Sequence, residues 1–372
     1  MADKTEQQEL EALRDQIDSL DQQIQNLLNE RARCAQHVAE VKQKYAQPGD
    51  SVTFYRPERE AQVLRRVMER NEGPLGDESM ARLFREIMSQ CLALEEPLSV
   101  AYLGPQGTYT QQAAVKHFGH AVTCEGQTSI AAVFREVASG AANYGVVPVE
   151  NSTEGVVTHT LDSFFDSSLK ICGEVALRIH HHLLAKPGTG EPGQQTIQRI
   201  YSHAQSLGQC RHWIDNHFPA NVDRIAVSSN AEAARRAAAE EGAAAIAGEA
   251  AAELYNLNVL NANIEDRPDN TTRFLIIGRQ ETAPSGDDKT SIMVSSRNQP
   301  GALYQVLKPF HKKGISLTRI ETRPDPSGTW NYLFFIDFEG HRDDEKTAPL
   351  LESLRDIAVD VKWLGSYPRA VL

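Results

Sequence analysis

Residues 98–118 read LSVAYLGPQGTYTQQAAVKHF, and the pattern of the chain changes here. The apolar run LSVAYLG is typical of a short buried strand, the following Pro105 predicts a turn, and QQAAVKHF is helical. The same alternation recurs in YGVVPVE, RIYSHAQSLGQCRHWI, RIAVSSNAEAARRAAAE, AAIAGEAAAELY and RFLIIG. Strands that alternate with helices predict an α/β domain over residues 97–280.

The sequence before this domain, residues 1–96, predicts an all-α domain. Apolar residues three and four positions apart run from Leu10 to Val41, which predicts one helix over about residues 7–44. Their stripe is narrow and heptad-like, so this helix requires a partner helix. A second helix is expected from Pro57, and a third from an N-cap at Asp77 to Glu95.

The sequence after the α/β domain begins with the linker QETAPSGDDK and continues over residues 290–369 as strand, helix, strand, strand, helix and strand. This βαββαβ order predicts a ferredoxin-like domain. Three domains agree with a length of 372 residues, which is more than one hydrophobic core usually holds.

Composition argues against several classes of protein. A net charge of −12 argues against nucleic acid as a partner. No apolar run reaches the roughly 20 residues of a membrane helix, and the polar, acidic N-terminus resembles no signal or transit peptide, so we expect a cytoplasmic protein. The five cysteines lack CxxC spacing and are expected to be reduced thiols, with neither a disulfide nor a metal site.

The long N-terminal helix carries cationic residues on its apolar stripe. Arg31 occupies a stripe position, and Lys42 lies about 16 Å further along nearly the same face, so both side chains can converge on a small dianion. Arg14 is about 42 Å from Lys42 and can share that site only from an antiparallel partner helix. Glu95 is expected on the buried face of the third helix with a raised pKa. Alternatively, Arg31 forms a salt bridge that only fixes the register of paired helices, and Glu95 is exposed to solvent.

Three segments, LRDQIDSLDQQI, NERARCAQHVAEVK and RPEREAQVL, resemble the all-helical class of chorismate mutase. The resemblance implies an intertwined dimer in which an arginine of one chain enters the site of the other. It implies that Lys42 and Glu95 act on the ether oxygen of chorismate, within a binding set of Arg14, Arg31, Lys42, Arg56, Arg59, Glu60, Cys91 and Glu95. Arg56 departs from the family's Asp, Cys91 from a Ser and Glu95 from a Gln. The reaction is a pericyclic rearrangement, so no cofactor is expected.

Five hydroxyl-rich motifs follow predicted strands of the α/β domain: GPQGTYT, VENSTEG, YSHAQ, SSNAEAA and NTTRF. Open α/β sheets bind ligands at strand ends, although each motif alone is more typical of a turn or cap. As a set they resemble the prephenate dehydratase family, whose two α/β lobes enclose a cleft as in periplasmic solute-binding proteins. The resemblance implies that Thr272 polarises the departing ring hydroxyl of prephenate, and that the site is shaped by Glu150, Asn151, Ser152, Ser202, His203, Gln205 and Arg273. For His203, a structural cap is an equal alternative.

Two patterns that suggest other chemistry are set aside. Residues 188–193, GTGEPG, match the dinucleotide-binding pattern G-x-G-x-x-G but do not open a helix, so a surface loop is predicted. The histidines at 180–182 would alternate faces on a strand and lack accompanying ligands, which argues against a metal site.

The last domain carries NQPGALYQVLKPF and TRIETRP, which resemble the ACT regulatory domain of phenylalanine-sensitive dehydratases. A glycine at the helix start lets backbone amides approach an amino-acid carboxylate. The resemblance implies that phenylalanine is bound by Asn298, Gly301, Ala302, Leu303, Glu321 and Arg323, with Thr322 where a Ser is usual. The alternative is a ferredoxin-like dimerisation module.

The three resemblances imply a bifunctional enzyme that converts chorismate to prephenate and then prephenate to phenylpyruvate, carbon dioxide and water, under inhibition by phenylalanine. A homodimer or larger homo-oligomer is expected. Two alternatives stay open: a mutase fused to a prephenate dehydrogenase, and a non-catalytic amino-acid sensor. The dehydrogenase requires a Gly-rich βαβ start, which the turn at Gly104 does not provide.

Overall fold

A computed structural model describes residues 2–46, 53–189, 196–324 and 332–372. The first domain has the three predicted helices, α1 (Ala2–Tyr45), α2 (Pro57–Glu69) and α3 (Asp77–Glu95). The N-cap of α3 is Gly76 rather than the predicted Asp77. Asp77 is instead the first helical residue, and its carboxylate accepts a hydrogen bond from the Asn71 amide at 2.8 Å.

Helix α1 is only partly covered within one chain. It packs along α3, while α2 and α3 pack on each other through residues such as Leu64 and Ala81, both fully buried. The predicted apolar stripe of α1 remains open to solvent, with Leu13 55% and Leu27 64% exposed. A stripe of this length is stable in water when another apolar surface covers it.

The α/β domain folds as two lobes. The first lobe begins with β1 (Ser99–Leu103), α4 (Tyr109–Phe118), β2 (Thr123–Gln127), α5 (Ile130–Ser139), β3 (Tyr144–Asn151), β4 (Gly155–Val156), α6 (Thr158–Ser163) and β5 (Lys170–Arg178). The second lobe comprises β6 (His182–Ala185), β7 (Arg199–His203), α7 (Ala204–Gln209), α8 (Arg211–His217), β8 (Asp223–Val227), α9 (Asn230–Ala239), β9 (Ala243–Ala247), α10 (Glu249–Tyr255) and β10 (Asn258–Asn261). The chain then returns to the first sheet as β11 (Thr271–Gly278).

Two crossings between the lobes follow from this order. The first sheet has the order β2-β1-β3-β11-β5, with β11 antiparallel to both neighbours, and the second has the order β10-β6-β9-β7-β8. The outgoing and returning segments hydrogen-bond to each other, since the Ile179 amide donates to Asn270 and the Ile264 amide to His181, each at 2.8 Å. Two lobes joined by paired crossings confirm the predicted architecture.

The last domain is the predicted ferredoxin-like unit. It consists of β12 (Asp288–Ser296), α11 (Ala302–Lys313), β13 (Leu317–Pro324), β14 (Tyr332–Glu339), α12 (Thr347–Ile357) and β15 (Asp360–Pro368), with sheet order β13-β14-β12-β15. Its sheet shares a hydrophobic core with the first lobe, in which Phe335 and Tyr367 pack with Ile171 and Leu275. Gly365 lies against the backbone of Ile171, where any Cβ would overlap, so the two domains are closely joined. Among the described residues, no helix combines the length and apolarity that crossing a membrane requires.

Candidate active sites

A cleft of about 500 Å³ separates the two lobes of the α/β domain. Asn151 at the end of β3 and Thr272 at the start of β11 form its floor, because these strands are neighbours and place the two residues in register. The N-terminal ends of α4 and α9 also reach the cleft, through Thr108, Ser229 and Asn230. None of the described residues that line it is a lysine or arginine. A bound anion would therefore be held by helix N-termini, hydroxyls and amides.

Asn151 fixes the hydroxyl of Thr272. Its Nδ2 donates to Thr272 Oγ1 at 2.8 Å, and its Oδ1 accepts from the backbone amides of Thr153 and Glu154 at 2.9 and 3.0 Å. The amide orientation follows from these contacts, since the oxygen faces two donors. Because Thr272 Oγ1 accepts from Asn151, its own hydrogen is available to a molecule in the cleft.

A second hydrogen-bonded chain runs along the wall of the cleft. Gln209 Oε1 lies 2.8 Å from His181 Nε2 and accepts from Asn270 Nδ2 at 3.1 Å, and His181 Nδ1 lies 2.8 Å from the Tyr109 hydroxyl. Burial lowers the pKa of His181, so the imidazole is neutral, and its Nε2–H donates to Gln209. The Tyr109 hydroxyl donates to the His180 carbonyl at 2.7 Å and shares that hydrogen with His181 Nδ1. Asn270 Oδ1 in turn accepts from Asn151 at 2.9 Å, which links this chain to the threonine.

The residues of this hydrogen-bonded chain, Tyr109, His181, Gln209 and Asn270, were not predicted as site residues. His181 belongs to the histidine run that argued against a metal, and the residues linked to it, Tyr109, Gln209 and Asn270, come from three other parts of the sequence. The only local signal was that Tyr109 and Asn270 lie in the quoted motifs GPQGTYT and NTTRF.

The other cleft residues predicted from sequence divide into lining and supporting positions. His203 and Gln205 line the cleft. His203 is also the N-cap of α7, and its Nδ1 accepts a hydrogen bond from the Gln205 backbone amide at 3.4 Å. Ser202 is fully buried and donates to the Ile246 carbonyl at 2.8 Å. Ser152 Oγ accepts from the Thr271 amide at 3.0 Å and so joins the β3–β4 turn to β11.

Arg273 does not lie in the cleft, although it was predicted to shape the site. Successive side chains of a strand leave it on opposite faces, so Arg273 points away from the cleft when Thr272 points into it. Its guanidinium bonds to Asp337 on β14 at 2.8 Å, to Glu174 at 3.2 Å and to Glu150 at 3.4 Å. The structure therefore places both Arg273 and Glu150 in an ion cluster against the ferredoxin-like domain.

In the helical domain, Arg31, Lys42 and Glu95 form a second candidate site. Burial raises the pKa of Glu95, and the charges of Lys42 and Arg31 oppose that shift, so the three groups lie within electrostatic reach of one another. The predicted rise in this pKa is confirmed. Burial likewise lowers the pKa of Lys42, with Glu95 among the charges acting on it. Cys91 is buried one turn before Glu95 on α3.

The remaining residues of the predicted helical site are placed differently. Arg14 is exposed on the far part of α1, and Arg59 is exposed on α2. Arg56 pairs with Glu58 at 3.1 Å. Glu60 faces Arg85 at 3.3 Å in a small cavity against the first lobe, where burial raises its pKa. Within one chain, the structure brings neither Arg14 nor Glu60 to Lys42.

A cavity of about 380 Å³ opens in the ferredoxin-like domain at the start of α11. Its lining includes Asn298, Gly301, Ala302, Leu303 and Thr322. Gly301 has φ 82°, a left-handed conformation that favours glycine. Two residues predicted with this set lie elsewhere on β13: Arg323 bonds to Asp162 of α6 at 2.8 and 3.0 Å, and Glu321 is not among the lining residues.

The patterns that suggested other chemistry have structural roles where they are described. His180 bonds to Glu265 at 2.8 Å, and the same carboxylate accepts from the His181 amide at 2.9 Å, so these histidines secure the crossing between the lobes. Most of the GTGEPG run, residues 190–193, lies outside the described residues. Over the described parts of the chain, no group of three His, Cys, Asp or Glu residues is arranged to hold a metal ion.

Three family profiles match the chain in the order of its domains: chorismate mutase type II over residues 13–96, prephenate dehydratase over 100–282 and the ACT domain over 290–356. A bifunctional chorismate mutase/prephenate dehydratase of Pseudomonas aeruginosa is 61% identical over 367 residues, which cover 99% of this chain and 100% of that protein. Its similarity therefore includes the fusion of all three domains.

Two solved structures resemble the last two domains. Prephenate dehydratase from Arthrobacter aurescens in complex with L-Phe is 36% identical, with a TM-score of 0.66 over 73% of this chain and 90% of that one. A structure described as GqqA, a novel type of quorum quenching acylase, is 29% identical with the same TM-score, over 73% of this chain and 98% of that one. Because this fold serves more than one described activity, the reaction has to be argued from the site residues.

Proposed function

Because the chain belongs to the family of bifunctional chorismate mutase/prephenate dehydratases, it converts chorismate to prephenate and prephenate to phenylpyruvate, and we propose here which residues perform each step. The observation that carries the dehydratase assignment is the Asn151–Thr272 hydrogen bond on the floor of the cleft. The observation that carries the mutase assignment is the grouping of Arg31, Lys42 and Glu95 beside an open helix stripe.

In the dehydratase reaction, prephenate loses its ring hydroxyl and carbon dioxide as the ring becomes aromatic. Thr272 donates a hydrogen bond to the departing hydroxyl, and Asn151 holds Thr272 in the orientation that makes this donation possible. A threonine is too weak an acid to protonate the leaving group unaided, so its role is polarisation. Helix N-termini at Thr108 and Ser229 are suited to bind the substrate carboxylates.

In the mutase reaction, the protein holds chorismate in a folded conformation and stabilises negative charge that develops on the ether oxygen. Lys42 supplies positive charge, and Glu95 donates a hydrogen bond while it is protonated. Arg31 binds a carboxylate. We propose that Arg14 comes from a second copy of the chain, whose α1 covers the exposed stripe, because Arg14 cannot reach Lys42 along one straight helix.

The cavity at the start of α11 is the proposed phenylalanine site. The N-terminal end of α11 is suited to an amino-acid carboxylate, and Leu303 provides apolar surface. Inhibition would pass from this domain to the cleft through their shared core and through the ion cluster of Arg273 and Asp337.

The test is a time course of the purified full-length protein with chorismate, following prephenate and phenylpyruvate separately, with and without phenylalanine and without NAD or added metal. We expect prephenate first, then phenylpyruvate, and slower phenylpyruvate formation with phenylalanine. Accumulation of prephenate without phenylpyruvate would contradict the role of Thr272. Unchanged chorismate would contradict the mutase assignment.

A further inference from the structure

The segment that precedes α2, residues 53–55, contacts the candidate mutase site directly. Lys42 Nζ donates hydrogen bonds to the carbonyl oxygens of Thr53 and Phe54, each 3.2 Å away. The ammonium also lies 5.2 Å from the centre of the Phe54 ring, within the range of a cation–π contact. The backbone of this segment therefore sets the position of the Lys42 ammonium.

The next residue, Tyr55, anchors this segment to the dehydratase domain. It is 4% exposed, and its hydroxyl lies 3.0 Å from Nε2 of His117, near the end of α4. Its ring packs against Phe118 and Tyr144, with both centroid distances 5.3 Å. Burial and the charge of Arg85 lower the pKa of His117 to about 3, so the imidazole is neutral. The Tyr55 hydroxyl and His117 Nε2 therefore share a hydrogen bond between two uncharged groups, whose direction depends on which ring nitrogen carries the proton.

Helix α4 thus has one end at each site. Tyr109, its first residue, hydrogen-bonds to His181 in the dehydratase cleft, and His117, one residue before its last, hydrogen-bonds to Tyr55 behind the mutase site. A ten-residue helix is a rigid element about 15 Å long. The dehydratase domain therefore provides a fixed reference for the residues that orient Lys42.

We propose that Tyr55 and His117 are positioning residues for the chorismate mutase reaction, because their hydrogen bond holds residues 53–55 where the carbonyls of Thr53 and Phe54 orient Lys42. This inference rests on the proposed role of Lys42. Neither Tyr55 nor His117 touches chorismate. The competing explanation is that Tyr55 only fills space in an aromatic cluster, in which case its ring matters and its hydroxyl does not.

Tyr55→Phe separates these explanations, since it keeps the ring and removes the hydroxyl. We expect kcat for chorismate to fall about 3- to 10-fold, the change that one uncharged hydrogen bond supports, while KM changes little. The effect falls on kcat because Lys42 acts on charge that develops in the transition state. Turnover of prephenate, assayed separately in the same full-length protein, should stay at the wild-type value.

Matched variants test the bond itself. Tyr144→Phe removes a hydroxyl from the same aromatic cluster but not from His117, and should leave mutase kcat unchanged. His117→Leu should reproduce the loss seen in Tyr55→Phe, whereas His117→Gln keeps a hydrogen-bond acceptor and should restore most of the activity. The double variant Tyr55→Phe/His117→Leu should be no slower than either single variant, because both remove the same interaction.

Mutase kcat within twofold of wild type in Tyr55→Phe would overturn the inference. Equal losses of mutase and dehydratase activity, or no rescue by His117→Gln, would also overturn it, since they indicate a general loss of packing. If the wild-type protein does not convert chorismate, the proposed function itself is wrong. If the wild-type protein is active and Tyr55→Phe is equally active, only the inference about Tyr55 is wrong.

Discussion

Thr272 and Arg273 are adjacent on β11, yet one side chain faces the cleft between the lobes and the other bonds to Asp337 of the ACT domain at 2.8 Å. The alternation of a single strand thus places a proposed catalytic hydroxyl and an interdomain ion pair back to back. Any shift of β14 that moves Asp337 would also displace Arg273, the residue next to Thr272. This arrangement gives the ACT domain a direct mechanical connection to the floor of the cleft.

Removing the Thr272 hydroxyl should stop the second reaction and spare the first. Thr272→Ala is expected to lower kcat for prephenate by about 100-fold or more, because polarisation of the leaving group is lost. Thr272→Ser keeps the hydroxyl and should retain most of the activity. Separate assays with chorismate and prephenate check this, and a Thr272→Ala protein that still forms phenylpyruvate at the wild-type rate would rule out the assignment.

Replacing Arg273 should affect stability more than chemistry. Arg273→Gln removes the cation that Glu174 and Asp337 share, although Lys289 still pairs with Glu174 at 2.7 Å and Arg319 lies 4.0 Å from Asp337. The loss of stability should therefore be smaller than the roughly 3 kcal/mol that breaking a buried ion pair from one side costs. We expect a lower midpoint of thermal unfolding and weaker inhibition by phenylalanine. The control is Arg279→Gln, which replaces an exposed arginine just past the end of β11. A large loss of kcat at unchanged stability would show instead that Arg273 contacts the substrate.

The pH dependence of the mutase reaction should follow Glu95. Burial raises the pKa of this carboxyl, and only the protonated form donates a hydrogen bond. Activity should therefore be full at pH values below the raised pKa and should fall as the pH rises through it. Glu95→Gln donates at every pH, so its profile should be flat, whereas Glu96→Gln should keep the wild-type slope. Identical profiles for wild type and Glu95→Gln would refute this role.

Complementation tests the shared site. Arg14→Ala and Arg31→Ala are each expected to lack mutase activity, but a mixed dimer contains one site with both arginines intact. Random pairing of equal amounts should restore about one quarter of wild-type activity. The measurement is mutase activity after the two chains are unfolded and refolded together, with each variant refolded alone as the control. No recovery in dimers shown to be mixed would mean that both arginines of a site come from the same chain.

The domain architecture could be predicted because each domain has its own periodicity. The stripe of α1, the strand and helix alternation after residue 98 and the βαββαβ order of the last domain are local patterns. Thr272 and Asn151 were also predicted, because the short polar motifs that contain them resemble, as a set, those of the prephenate dehydratase family. Tyr109, His181 and Gln209 were not, because their hydrogen bonds join segments far apart in sequence and only the closed pair of lobes brings them together.

Two expectations needed information that motifs do not contain. The motif NTTRF does not say which of its side chains faces the cleft, although strand alternation requires Thr272 and Arg273 to face opposite ways. Glu60 was matched to the mutase site through RPEREAQVL, yet within one chain it pairs with Arg85 at 3.3 Å. Its assignment to chorismate remains a prediction, because a helix with two buried faces gives no sequence signal of which face meets the substrate.

The open stripe of α1 has a consequence for how the two activities depend on protein concentration. The Asn151–Thr272 pair on the floor of the dehydratase cleft forms within one chain, whereas the proposed mutase site needs an arginine from another. A newly synthesised chain would therefore be able to process prephenate before it can make any. Dilution should dissociate the chains and remove mutase activity before dehydratase activity. Mutase activity per chain therefore measures the fraction of chains that are paired.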